Sequence, residues 1–254
     1  MRYADTHAHL HFPKFKKDID EVVERFKKSG GEFLLNVGVN LEDSRKAVEV
    51  ARKYGFKASV GIHPHDSKDV PADFVQILSE LVQDETVVAI GECGLDYYRN
   101  LSPRDVQKEI FQAQIDLAAA LNIPLVVHIR DAYEEAYEIL SSSQLPDPPG
   151  VIHAFSADSE WALKFVKLGF LLGIGGPVTY PKNEELRKAV RAVGIENILT
   201  ETDSPYLPPQ KFRGRRNEPS YVIHVIERVA EVLGEDPEVV GEKTLENALE
   251  VFGR

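Results

Sequence analysis

The sequence predicts an α/β fold, a (β/α)8 TIM barrel with one extra C-terminal helix. Three observations carry this reading. Short, near-continuous apolar segments alternate with segments of helical periodicity, and the count is eight strands, each followed by a helix. Strands that are apolar without interruption belong to a sheet buried on both faces, hence to parallel strands covered by helices. Eight such units in about 250 residues match a closed barrel. The competing architecture is an open doubly wound sheet. That fold usually carries a glycine-rich phosphate turn after its first strand, where this chain has His7 and His9.

The elements follow in order. Residues 3–10 form the first strand, and 18–28 a helix stopped by Ser29-Gly30-Gly31. Residues 32–39 are strand-like. Residues 41–54 place Ala47, Val48 and Ala51 on one helical side, and Gly55 ends the helix. Residues 56–62 make the third strand, running into His63-Pro64-His65; Pro71 suits the first turn of a helix over 71–82. A strand over 87–92 closes on Glu92, and a long helix covers 103–121. A strand over 124–128 closes on His128 and is followed by a helix over 131–140, with a loop from Ser141 to Gly150. The strand at 151–153 closes on His153 and precedes a helix over 161–168. Strand 170–174 leads through Gly175-Gly176-Pro177 to a helix over 183–193. Strand 198–203 closes on carboxylates, and helices over 218–233 and 237–252 finish the chain. No linker, repeat or composition shift divides residues 1–254, so one domain is expected.

Composition narrows the function. Hydrophobic residues are 43% and charged residues 28%, the balance of an ordinary globular domain. No apolar run approaches the roughly 18 residues of a membrane span. Asp5 and the histidines interrupt any apolar signal-peptide core. The single cysteine, Cys93, excludes an intrachain disulfide framework. These features predict a cytoplasmic enzyme without membrane association, and no stretch marks an obligate protein partner. A net charge of −11 argues against a generally basic nucleic-acid coat. It leaves room for a local positive site, because bound metal ions add charge that the formal count omits.

The chemistry-bearing residues collect at strand ends. His7 and His9 alternate along a strand and so share a face, together with Asp5. Two imidazoles on a rigid strand suit a divalent metal such as zinc or manganese. His63 and His65 follow the third strand, Glu92 ends the fourth, His128 the fifth, His153 the sixth and Asp203 the eighth. In a barrel all these ends open on one face, where active sites lie. His7, His9, His128 and His153 with Glu92 and Asp203 exceed the needs of a three-ligand catalytic site and fit two metals with a bridging carboxylate. His224, within a helix, and His11, just past the first strand, carry no expected role.

The sequence resembles the TatD-type metal-dependent deoxyribonucleases, within the amidohydrolase-like barrels. The resemblance rests on Asp5-Thr6-His7-Ala8-His9, Gly61-Ile62-His63-Pro64-His65, Gly91-Glu92-Cys93-Gly94-Leu95-Asp96-Tyr97, His128 before Arg130, His153-Ala154-Phe155-Ser156 and Glu201-Thr202-Asp203-Ser204-Pro205-Tyr206-Leu207. It implies two divalent ions (Mg, Mn or Zn), one held by His7, His9 and Asp203, the other by His128 and His153, with Glu92 bridging. It implies hydrolysis of DNA phosphodiesters, often from the 3′ end, with single-stranded DNA as the expected partner. Ala154 and Ala157 stand where cysteine and glycine are common in the family. Glu92 stands where many amidohydrolases place a modified lysine, which favours the nuclease branch.

The remaining candidates follow from position. Asp203 is expected to orient the attacking water or take its proton. Glu201, two residues earlier, is expected to share its strand face, as a support for a ligand or as a partner for a basic residue. His63, His65 and Arg130 are candidate phosphate contacts or supports for ligands. Cys93 should point into the helix layer and act as a small buried residue. The basic stretch Lys211 to Arg216 follows the last strand, and Arg213 and Arg216 are its candidate substrate contacts. Metal-activated water attacks carbonyl carbon as readily as phosphorus, so the ligand set alone leaves two alternatives open: a small amide or lactone, or an aminoacyl ester on transfer RNA. A metal-loaded binding module is the non-enzymatic alternative.

Overall fold

Eight parallel strands follow one another in chain order around the sheet. They are β1 (Tyr3–Ala8), β2 (Gly31–Val37), β3 (Lys57–Val60), β4 (Val87–Asp96), β5 (Leu125–Arg130), β6 (Gly150–His153), β7 (Leu171–Ile174) and β8 (Ile198–Thr200). The helices are α1 (Ile19–Lys28), α2 (Leu41–Tyr54), α3 (Phe74–Leu81), α4 (Arg104–Leu121), α5 (Tyr133–Ser142), α6 (Ser159–Lys167), α7 (Glu184–Val193), α8 (Val222–Leu233) and α9 (Pro237–Phe252). This computed structural model describes residues 1–253. Among them, no helix is long and apolar enough to cross a membrane.

The sheet closes between its first and last strands. The Asp203 N–H donates to His7 O at 2.9 Å, and the His9 N–H donates to Ser204 O at 2.8 Å. Below these bonds, the Thr6 hydroxyl reaches Thr200 O at 3.2 Å and the Thr200 hydroxyl reaches Ala4 O at 3.3 Å. Closure removes the unpaired edges that an open sheet would expose.

Alternation along each strand sends one set of side chains into the barrel and the other into the helix layer. The interior set includes Ala4, Leu35, Val88, Val126, Val151 and Leu199, packed with Leu245, Ala248, Val251 and Phe252 of α9. Asn247 of α9 donates to Ile198 O at 3.0 Å, at the start of β8. The extra C-terminal helix therefore seals the barrel at the strands' N-terminal ends, and polar side chains gather at the opposite mouth.

Helix ends agree with the sequence where capping chemistry is explicit. Asn40 accepts the Asp43 N–H at the start of α2, and Gly55 ends that helix with φ 74°. Asp236 caps α9, with Pro237 in its first turn. Several boundaries depart from expectation: β4 runs on past Glu92 to Asp96, β5 runs past His128 to Arg130, and α8 starts at Val222 after a short turn over Pro219–Tyr221. Helix α3 starts at Phe74, because Pro71 lies in the preceding turn and accepts the Phe74 N–H. Helix α5 runs on through Ser141 and Ser142, whose hydroxyls bond back to Glu138 O. Helix α6 begins at Ser159, where Asp158 accepts the N–H groups of Glu160 and Trp161. Strand β8 stops at Thr200, and Asp203 has φ 56°, a left-handed conformation that aspartate tolerates better than most residues. Glu201 and Asp203 thus do not share a strand face, and they serve different partners.

Candidate metal centre

Glu92 is placed by a bulge. Gly91 pairs with Val126 and Cys93 with Val127, so Glu92 has no partner across β5 and its N–H donates to Gly38 O at 2.9 Å. Bulges re-aim side chains beside active sites. Gly91 has φ 149°, and a Cβ there would fall 2.5 Å from Val126 O, so glycine is required. Cys93, next along, is fully buried among residues of the helix layer, as alternation predicts.

The two carboxylate oxygens of Glu92 face different groups. Oε2 lies 3.4 Å from His7 Nε2 and 3.9 Å from His9 Nε2. Oε1 lies 3.0 Å from His128 Nδ1, 3.4 Å from His63 Nε2 and 3.8 Å from His153 Nε2. Asp203 Oδ1 approaches His9 Nε2 at 3.5 Å and His7 Nε2 at 4.0 Å.

Partners behind the rings decide which nitrogen faces the site. His9 Nδ1 is 2.7 Å from Val37 O, so it carries the proton and leaves the Nε2 lone pair facing Glu92 and Asp203. His153 Nδ1 is 2.9 Å from Glu201 Oε1, which likewise leaves Nε2 for a cation. The same Glu201 oxygen accepts the Ala154 N–H at 2.8 Å. Gly173 makes room for this carboxylate, since a Cβ there would sit within contact distance of Glu201 Oε2. His63 is the opposite case. It is extended before Pro64, and its Nδ1 accepts the His65 N–H at 3.1 Å, so Nε2 carries the proton and His63 donates toward Glu92.

Asp96 is a member of this cluster that reading the sequence missed. It is buried, with Oδ2 2.9 Å from His65 Nε2 and 3.2 Å from His128 Nε2. Its signal was present, because residues 92, 94 and 96 share a strand face. Asp5 also acts from behind. It accepts the Thr202 N–H at 2.9 Å and the Thr202 hydroxyl at 2.6 Å, tying β1 to the segment after β8.

A cavity of about 830 Å³ opens above these groups, lined in part by Glu92, His63, His65, His128, His153, Asp203 and Arg130. Arg213 is not in its wall; its guanidinium lies 4.7 Å over the ring of Tyr180, which is. Arg216 departs from the expected substrate contact. Its guanidinium makes a two-pronged contact with Asp18 at 2.7 and 2.6 Å, donates to Lys14 O at 2.8 Å and covers the Phe15 ring. Arg216→Ala is therefore expected to cost about 1 kcal/mol or less of stability, as partly exposed ion pairs do. It should leave the KM for a nucleic-acid substrate within twofold of wild type, as thermal melts and steady-state kinetics would show. His11 contacts Asp43 at 2.8 Å and His224 contacts Glu227 at 2.8 Å, both away from Glu92.

The family model described as TatD related DNase matches residues 4–253. The chain belongs to the TatD-related DNase family. The uncharacterized metal-dependent hydrolase YabD of Bacillus subtilis is 40% identical over 249 residues, covering 98% of each chain. The 3′-5′ ssDNA/RNA exonuclease TatD of Escherichia coli K12 is 37% identical over 255 residues, again covering 98% of each. The crystal structure of YjjV, a TatD homologue from E. coli K12, superposes with a TM-score of 0.94 at 26% identity, covering 100% of this chain and 98% of that one. As a TatD-family member, the chain is a metal-dependent hydrolase.

The residues present fit such metals. Ligand atoms of His7, His9 and Glu92 lie within 4.8 Å of one another, as do those of His7, His153 and Asp203; His63 is as close to Glu92 and His128, but its Nε2 proton points at Glu92 and makes it a donor beside the site rather than a ligand. The expected pairing of His128 with His153 is divided here: both face Glu92 Oε1, while His153 also groups with His7 and Asp203. Electrostatics agree. Burial drives the His7 pKa down to about 3, keeping the ring neutral as a ligand must be. Burial also opposes charge on His153, but the Glu201 carboxylate outweighs it and raises the pKa to about 10. Burial works against the Glu92 carboxylate, yet His63, His128 and His7 hold its pKa well below the usual range. A buried cluster that fixes negative charge and draws protons onto its imidazoles is one that a divalent cation would suit.

Proposed function

We propose that this enzyme is a two-metal phosphodiesterase that shortens single-stranded DNA from its 3′ end. The observation that carries the reading is the division of Glu92. One oxygen faces the β1 histidines, and the other faces His128 and His153. His7, His9 and Asp203 would hold one ion, and His128 and His153 the other, with Glu92 between them. The imidazole-rich donor set suits zinc or manganese, and its two carboxylates also suit magnesium. Bound there, divalent ions acidify water and neutralise charge on phosphoryl oxygens.

The chain's own residues supply the rest. The Asp203 side chain is the more open of the two carboxylates facing β1 and lines the cavity, so it is placed to accept a proton from the attacking water. His63 holds its Nε2 proton toward Glu92, and His65 is held by Asp96; both line the cavity where a phosphate would enter. Asp96 and Glu201 fix the rings of His128 and His153. Arg213, stacked on Tyr180, stands at the rim. The single free cysteine fits work in the reducing cytoplasm.

The E. coli relative's name specifies ssDNA and RNA, so both polymers belong in the test. The experiment assays 3′-labelled and 5′-labelled single-stranded DNA, duplex DNA, RNA, and a panel of amides, lactones and aminoacyl esters, each with magnesium, manganese or zinc. Release of mononucleotides from the 3′ end of single strands, faster than any carbonyl substrate is cleaved, is the expected result. Hydrolysis of a carbonyl substrate with no attack on any polynucleotide would overturn the reading.

A further inference from the structure

Two arginines face the cavity without a carboxylate partner. Among the described residues, Arg25, Arg52, Arg187, Arg191 and Arg216 end on Asp or Glu; Arg45, Arg99, Arg104, Arg130, Arg213 and Arg215 have no carboxylate within ion-pair distance, and of these Arg99 and Arg130 are the ones in the cavity wall. Both line the cavity together with Glu92, His128 and Asp203. Arg130 ends β5 two residues beyond His128, so it rises on the same face, above that ring. Its guanidinium lies 3.9 Å over the ring of Tyr98, which is 61% exposed. Arg99 is rooted on the site itself: its backbone N–H donates at 2.7 Å to Asp96, the carboxylate that also contacts His65 and His128. In a chain with 41 acidic and 30 basic residues, two cations left unpaired beside an acidic floor point to a ligand that brings its own negative charge.

We propose that Arg99 and Arg130 form a second anion subsite that takes the phosphodiester on the 5′ side of the scissile one, with Tyr98 holding Arg130 in place. The proposal rests on the nuclease reading of the same site. Cations on Glu92 would hold only the scissile phosphate. The next phosphate along the strand needs a partner of its own, and guanidinium offers a planar two-pronged contact to phosphate oxygens while stacking on an aromatic ring. Neither contact reads a base, so the subsite selects a strand rather than a sequence.

The test combines a variant with a modified substrate. Binding of a short single-stranded oligonucleotide is measured by fluorescence anisotropy for wild type and for Arg99→Ala/Arg130→Ala, with its kinetics beside those of bis(p-nitrophenyl) phosphate. A second oligonucleotide carries an uncharged methylphosphonate at the linkage 5′ to the scissile one. The double variant should weaken oligonucleotide binding by roughly tenfold or more, as loss of charge-assisted bonds does. Its log–log salt slope should fall by roughly 0.7 for one lost phosphate contact. The methylphosphonate should weaken wild type by a similar factor and weaken the double variant no further. Arg130→Lys should recover only part of the affinity, because it restores charge without the fork. Additive losses from variant and methylphosphonate, or equal losses of kcat/KM on oligonucleotide and small diester, would overturn the subsite. Wild type that cleaves neither substrate would instead overturn the nuclease reading.

Discussion

Glu92→Gln is expected to lose bound metal and hydrolysis together. The amide keeps the shape but brings no negative charge, and only one of its two polar atoms can accept a cation. Because each Glu92 oxygen faces its own set of imidazoles, the change should empty both positions. The loss should exceed the roughly 10–100-fold typical of groups that merely support metal ligands. Elemental analysis and kcat on the same preparations check it. Cys93→Ala is the matched control one residue away. Its thiol is buried in the helix layer, so it should keep its activity and lose about 1 kcal/mol of stability. The reverse pattern, with Cys93→Ala inactive and Glu92→Gln active, would mean that the strand register is the opposite of the one described.

The second large effect belongs to Glu201. Its Oε1 contacts His153 Nδ1 at 2.9 Å and accepts the Ala154 N–H at 2.8 Å, so one oxygen orients the ring and pins the backbone after β6. Glu201→Gln preserves volume and can preserve the Ala154 bond, but it removes the charge that polarises His153. A loss of about 10–100-fold in metal affinity or kcat is expected, with little change in melting temperature. Competition titration with a chromophoric chelator separates the two. Wild-type affinity and turnover in this variant would leave Glu201 as a packing residue only.

What the sequence revealed tracks how local each signal was. The strands announced themselves by apolar runs, and parallel order followed from the alternating helices. Once the strands were placed, His7, His128 and His153 fell on one rim because strand ends in a barrel share a face. Helices α2 and α9 match their expected bounds, and the residues that close their ends, Asn40, Gly55, Asp236 and Pro237, act on their own neighbours. The misreadings lay where distant segments decide the outcome. The run Ile198 to Asp203 looks like one strand, but closure onto β1 ends it at Thr200 and turns Asp203 away from Glu201. Arg216 looked like part of a basic loop, yet its partner Asp18 lies 198 residues earlier. Asp96 was visible by alternation from Glu92, but the bulge that takes Glu92 out of ordinary pairing, and the two histidines that Asp96 contacts, emerge only in three dimensions.

The central claim, two cations joined by Glu92, is tested most directly by metal content measured alongside activity. Purified protein is analysed for metals, stripped with chelator, analysed again, and titrated with magnesium, manganese or zinc while hydrolysis of single-stranded DNA is followed. Circular dichroism serves as the folding control. The expected result is loss of activity with loss of metal, an unchanged spectrum, and recovery that saturates at two ions per chain. Full activity in protein verified to be metal-free would contradict the account.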